Sequence, residues 1–110
     1  LRSLSLAGNL LPPDAAGVLA RTPGVADLRV LDLRDNKLGD AGAAALAGSP
    51  HLANLVHLDL SSNEIEDAGA DALADAPHLG GLIALDLYGN VIPPPAAARL
   101  KRRFGDRVFV

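Results

Sequence analysis

The chain has no cysteine, no methionine and no tryptophan, and only one tyrosine and two phenylalanines among its 110 residues. Without cysteine there are neither disulfide staples nor thiolate metal ligands. That absence fits a reducing compartment, with the cytoplasm favoured. Aromatic residues are 3 % of the chain while apolar residues are 49 %, so the core has to be aliphatic, built from Leu, Ala, Val and Ile. No apolar run approaches the roughly 18 residues that a membrane-spanning helix needs. The N-terminus also lacks the charged-then-apolar layout of a signal peptide.

Charge of one sign is scarce where it would matter for nucleic acid. The formal net charge is −3, but residues 1–98 carry five basic and twelve acidic side chains, whereas residues 99–110 carry five basic and one acidic. A mildly acidic body disfavours phosphate-bearing ligands over most of the surface. The only basic patch is the tail, where Arg99, Lys101, Arg102, Arg103 and Arg107 offer a weaker, third reading as a contact for nucleic acid or anionic lipid, although no aromatic interleaving supports stacking on bases.

What the chain does have is a repeat. Asn9, Asn36, Asn63 and Asn90 are each 27 residues apart. Three leucines precede each one in a fixed pattern: Leu1, Leu4 and Leu6; Leu28, Leu31 and Leu33; Leu55, Leu58 and Leu60; Leu82, Leu85 and Leu87. Two places after each asparagine stands Leu11, Leu38, Ile65 or Ile92. A fixed period of this length means a stacked solenoid. Four repeats follow, 1–27, 28–54, 55–81 and 82–98 onward, then a closing segment over 99–110.

Within each repeat the apolar period changes. The leucines before the asparagine alternate with polar residues, the two-residue period of a strand. Afterwards Ala41, Ala45 and Leu46, with Leu52 beyond the turn, fit one face of a short helix, as do Ala68, Ala72, Leu73 and Leu79. Asp40 and Asp67 stand where a carboxylate can receive the free amides of these helices. Gly42 and Gly69 fall in the first turn. Glycine there costs helix propensity, so it signals close approach of the neighbouring coil. Pro50 and Pro77 end the helices, and His51 and His78 lie on the turns that follow. Strands stack at about 4.8 Å and helices at roughly 8–10 Å. The stack therefore curves, with the strands inside. Pro12 and Pro13 in the first repeat, and Pro93 to Pro95 in the fourth, set the terminal repeats apart. Arg99, Lys101, Arg102 and Arg103 give the last helix the polar outer face of a cap. Residues 107–110 read as a short closing strand, with Phe109 in the phase of Leu82. The opposite end begins inside a repeat without an initiator Met, so further repeats or a second domain are expected upstream.

L-x-x-L-x-L-x-x-N-x-[LI], four times at constant spacing, resembles the leucine-rich repeat. The continuation from Gly39 through Ala47 is similar to the ribonuclease-inhibitor-like subclass, whose convex side is helical. The GAAALA run over 42–47 is similar to bacterial effector repeats, and the ending over 100–108 to bacterial proteins with a repeat-companion domain upstream. The resemblance implies an α/β fold, a right-handed solenoid with a parallel sheet on the concave face and helices on the convex face. It also implies a non-catalytic scaffold that binds protein. An alternative is the substrate-targeting arm of a larger enzyme, ligase-like, whose catalytic domain lies outside this chain.

The positions between the strand leucines face the concave side. One column is Ser5, Asp32, Asp59 and Asp86. It is flanked by Ala7, Arg34, Ser61 and Tyr88, and by Ser3, Val30, His57 and Ala84. These columns read as a recognition strip, with an acidic spine suited to a basic protein partner and Tyr88 as an aromatic anchor on its strand. The other reading of the aspartates is that they solvate the strands. His57, Asp59 and Ser61 suggest a triad at first glance. However, alternate strand residues lie about 6.6–6.8 Å apart, and Asp59 stands in the middle where histidine belongs, so no catalytic residue is assigned. Calcium wants six to eight oxygens, and three carboxylates on an open face are too few, so no metal or other cofactor is expected. No small-molecule substrate or membrane contact is expected either. Finally, a polar side chain repeated beside a leucine core must be hydrogen-bonded. Asn9, Asn36, Asn63 and Asn90 are therefore expected to form a structural ladder.

Overall fold

A computed structural model describes residues 1–110. Five short strands, β1 (Ser3–Ser5), β2 (Val30–Asp32), β3 (His57–Asp59), β4 (Ala84–Asp86) and β5 (Val108–Phe109), alternate with four helices. These are α1 (Pro13–Ala20), α2 (Gly39–Ala47), α3 (Asp67–Ala74) and α4 (Pro94–Phe104). The strands form one parallel sheet in chain order. From β1 to β4 the register advances by one repeat at each step, so Leu4, Leu31, Leu58 and Leu85 lie side by side, as do Ser5, Asp32, Asp59 and Asp86. The helices pack in sequence as a second layer. Leu31, Leu58 and Leu85 from the strands, with Leu33 and Leu60 just past them, meet Leu46 and Leu73 from the helices in one continuous buried core.

Sequence expectations need correction at three places in the fold. The first is the helix face. Ala41 and Ala68 are exposed, and Ala45 and Ala72 only half-buried. The buried faces are Gly42, Ala43, Leu46 and Ala47 in α2 and Gly69, Ala70 and Leu73 in α3. The glycines belong to the buried face because the preceding coil lies against them. A Cβ on Gly42 would come 2.8 Å from Leu38 Cβ and 3.3 Å from Ala16 Cβ.

The second is the aspartate caps. Asp40 lies inside the first turn of α2, and its Oδ1 accepts from the amides of Glu66 and Gly69 at 2.8 and 2.9 Å, at the start of α3. It thus supports the helix of the next repeat rather than its own. Asp67 makes no matching bond, since one of the equivalent partners is Pro93, which has no N–H. Asp40→Ala is expected to lower stability by about 1 kcal/mol and Asp67→Ala by less than about 0.5 kcal/mol. Urea denaturation of the two variants checks this, and equal losses would contradict the bonding across repeats. Pro50 likewise does not end α2, which stops at Ala47. It opens a 3-10 turn over Pro50–Leu52, where Ser49 Oγ accepts from the His51 amide at 3.2 Å.

The third is the closing strand. Phe109 does not take the phase of Leu82. Val108 pairs with Leu85 and Phe109 with Asp86. The return from α4 is shorter than in the other repeats because the 3-10 turn Gly105–Arg107 abuts both helix and strand with no further residues between, with Gly105 at φ 59°. Val108 consequently fills the core leucine slot, and Phe109 takes the outward slot of the aspartate column.

The basic tail is tied into the fold. Arg103 Nη1 donates to the carbonyls of Leu73 and Ala74 at 3.1 and 3.2 Å, at the C-terminal end of α3, where a cation complements the helix dipole. Arg107 donates to the carbonyls of Phe104 and Leu82, both at 2.9 Å. Arg99 bridges Asp75 and Asp71, and hydrogen bonding to Asp75 first, then Asp71, raises its pKa above the ordinary arginine value. Asp71 Oδ1, shielded from solvent, has Arg99 Nη1 at 2.8 Å as its partner. Helix α4 runs unbroken past residue 98, so the division between fourth repeat and cap falls inside a helix.

Candidate functional site

In a parallel ladder only alternate backbone amides point to the neighbouring strand. The amides just past each strand, at Arg34, Ser61 and Tyr88, are instead taken up by side chains. Asp32 Oδ1 accepts from the Arg34 amide at 3.2 Å, Asp59 Oδ1 from Ser61 at 3.0 Å, and Asp86 Oδ1 from Tyr88 at 3.0 Å. Each aspartate closes a local turn of the kind its short side chain favours. The aspartate column therefore has a definite backbone role, and one carboxylate oxygen per residue is committed to it.

The second oxygens differ along the sheet. Asp32 Oδ2 accepts from Ser5 Oγ at 3.2 Å and lies 3.5 Å from Arg34 Nε. Asp59 Oδ2 and Asp86 Oδ2 have no hydrogen-bond partner: the Ser61 hydroxyl donates to Asp59 Oδ1 at 2.6 Å, the oxygen that already holds its amide. No hydrogen bond joins His57, exposed on β3, to Asp59 or Ser61. No three histidine or acidic side chains converge closely enough to hold a metal ion.

Tyr88 is exposed, but it sits in the turn after β4 rather than on the strand. Its ring lies 6.2 Å from that of Phe109, centroid to centroid, at 44°. Sequence reasoning missed Phe109 as a member of this surface. The signal was present in Val108-Phe109-Val110, whose outer residues match Leu85 and Leu87 and leave Phe109 in the outward slot. The two surface depressions, of about 210 and 380 Å³, lie elsewhere. One is at the strand starts, around Arg2, Asp27 and Arg29, and the other between α1 and α2, around Val18, Ala41 and Ala45.

The asparagines lie behind the strip, in the turns. Asn36 Nδ2 donates to the carbonyls of Leu33, Leu6 and Arg34, and its Oδ1 accepts from the amides of Asn9 and Leu11. Asn63 Nδ2 donates to Leu33 and Ser61 carbonyls, and its Oδ1 accepts from the Leu38 amide at 3.3 Å. Asn90 Nδ2 donates to Leu60 and Leu87 carbonyls, while its Oδ1 accepts from the Asn63 and Ile65 amides. Asn9 donates to Leu6 and Ala7 carbonyls within its own turn. Asn36 and Asn63 are buried, and Asn9 is exposed.

No helix is long and apolar enough to cross a membrane. No curated protein matches the chain. Residues 26–47 and 51–74 match the family model described as Leucine Rich repeat. Each matched segment covers one strand, the asparagine turn and the helix behind it, so these two central units are similar to the leucine-rich repeat, and a unit of the same build stands on either side of them.

Proposed function

We propose that the chain is a non-catalytic scaffold that seats a protein partner across the concave strand face, using Asp32, Arg34, His57, Asp59, Ser61, Asp86 and Tyr88. The observation that carries this reading is the in-register sheet. It sets polar and aromatic side chains in adjacent columns on one face while the leucines between them are sealed in the core. An open face of this kind suits an extended protein surface better than a small molecule, which prefers a concave pocket. The convex layer is α-helical behind all four asparagine turns, which supports the ribonuclease-inhibitor-like subclass. Three of the five tail cations are engaged in holding the cap, which supports residues 99–110 as a closing device rather than a nucleic-acid contact.

Two matched substitutions test the face. Ala84, on β4 in the column beside the aspartates, and Ala44, exposed on α2, are each replaced by arginine. With folding checked by circular dichroism, Ala84→Arg is expected to reduce recovery of the partner from source cells more than about tenfold, as expected for setting a cation against a basic partner, and Ala44→Arg to leave it unchanged. The reverse pattern would move the binding surface to the helices.

A further inference from the structure

We propose that Tyr88 and Phe109, with the free carboxylate oxygens of Asp86 and Asp59 beside them, form a clamp for an arginine side chain of an extended partner segment. This rests on the concave-face reading and gives that face a polarity. At the β1 end the strip is internally neutralised, because Asp32 meets Arg34. At the β5 end two carboxylates keep an oxygen without a partner, and Phe109 is the register neighbour of Asp86. Charge and aromatic surface thus coincide only in the C-terminal half of the sheet.

The chain supplies its own comparison. Its third aromatic, Phe104, is buried and carries two guanidinium groups, Arg103 at 4.8 Å and Arg107 at 5.6 Å from the ring centroid. Tyr88 and Phe109 are 57 % and 40 % exposed, and no cation of the chain lies over either. A guanidinium is planar and weakly hydrated. It stacks on an aromatic face while its fork pairs with a carboxylate, which a lysine ammonium does less well. Neighbouring strands are about 4.8 Å apart, so Asp86 and Phe109 present an acceptor and a ring within reach of one arginine head group, and Asp59 adds a second carboxylate one strand further on. The same carboxylates repel phosphate, which favours a basic peptide over a nucleic-acid base as the group stacked on the rings.

Tyr88 is the only tyrosine and there is no tryptophan, so intrinsic fluorescence reports on this site alone. The probe is a capped Gly-Arg-Gly-Arg-Gly peptide at millimolar concentration, set against its citrulline counterpart, with Tyr88 fluorescence and backbone amide shifts recorded together. Fluorescence change with amide shifts centred on Asp86, Tyr88 and Phe109 is expected. Citrulline, isosteric and uncharged, should weaken the effect by about tenfold, and Asp86→Asn and Phe109→Leu by roughly fivefold each. Asparagine keeps the acceptor for the Tyr88 amide, so the turn survives while the charge is lost. Shifts centred on β1 and β2 would refute the clamp and leave the concave-face reading standing. No shift at Tyr88 or Phe109 would refute the clamp, and the concave face would then be judged by Ala84→Arg. An oligothymidylate that shifts Tyr88 and Phe109 more than the peptide does would overturn the clamp in favour of base stacking.

Discussion

Asn63→Ala should lower the free energy of unfolding by about 3 kcal/mol, although it removes no apolar contact of note. Asn63 is completely buried, and its amide bonds the carbonyls of Leu33 and Ser61 and the Leu38 amide. Alanine leaves these backbone groups without partners between two packed coils. Each such loss costs about 1–3 kcal/mol when water cannot replace it. Asn63→Asp should not rescue the fold, because an ionised carboxylate accepts but cannot donate to two carbonyls. Asn9 provides the control. It is exposed and its side chain serves only its own turn, so Asn9→Ala should cost less than about 1 kcal/mol. Denaturant titration of the three variants decides the matter. Equal losses at Asn9 and Asn63 would mean that burial between coils is not what gives the asparagine its worth.

Gly69→Ala should destabilise by about 2 kcal/mol, although alanine in a helix is normally better than glycine by about 1 kcal/mol. The sign inverts because there is no room. A Cβ at Gly69 would stand 2.6 Å from Asp40 Oδ1, 2.8 Å from Ile65 Cγ2 and 3.1 Å from Asp40 Cα. Displacing Asp40 also breaks its bonds to the Glu66 and Gly69 amides. Adding Asp40→Ala to Gly69→Ala should therefore cost less than the two single losses combined, since both act on one contact. Gly80, with open space where its Cβ would go, should accept alanine within about 0.5 kcal/mol. A melting temperature that rises in Gly69→Ala would contradict the close approach of α2 and α3.

Much of the fold was legible in the sequence because the asparagines act as a ruler. Once Asn9, Asn36, Asn63 and Asn90 fix the repeat, Leu31, Leu58 and Leu85 must align, and with them the outward residues on either side. The two-residue period of a strand then assigns each side chain to a face without ambiguity. The helices offered no such contrast. Ala41, Gly42, Ala43, Ala44 and Ala45 differ too little in hydropathy to mark a buried side, and the deciding factor was the space between coils, which favours glycine. The reach of Asp40 into the next repeat depends on the offset between helices, which spacing within one repeat does not encode. The candidate site divides in the same way. The columns of Asp32, Asp59 and Asp86 were readable, whereas their service to the amides of Arg34, Ser61 and Tyr88 and the arrival of Phe109 beside Tyr88 were not. Phe109 reaches that column because the last return is short, and so the site is completed by a segment that breaks the repeat.

The scaffold column and the binding face make separable claims. Asparagine variants should act on stability, and substitutions on the strands should act on the partner. The most direct measurement is photo-crosslinking in the source cells, with benzoylphenylalanine placed singly at Val30, His57 and Ala84 on the strands and at Ala41, Ala44 and Ala68 on the helices. Adducts of one partner from the strand positions, absent from the helix positions, are the expected result. Adducts from the helix positions alone would contradict the assignment of binding to the concave face.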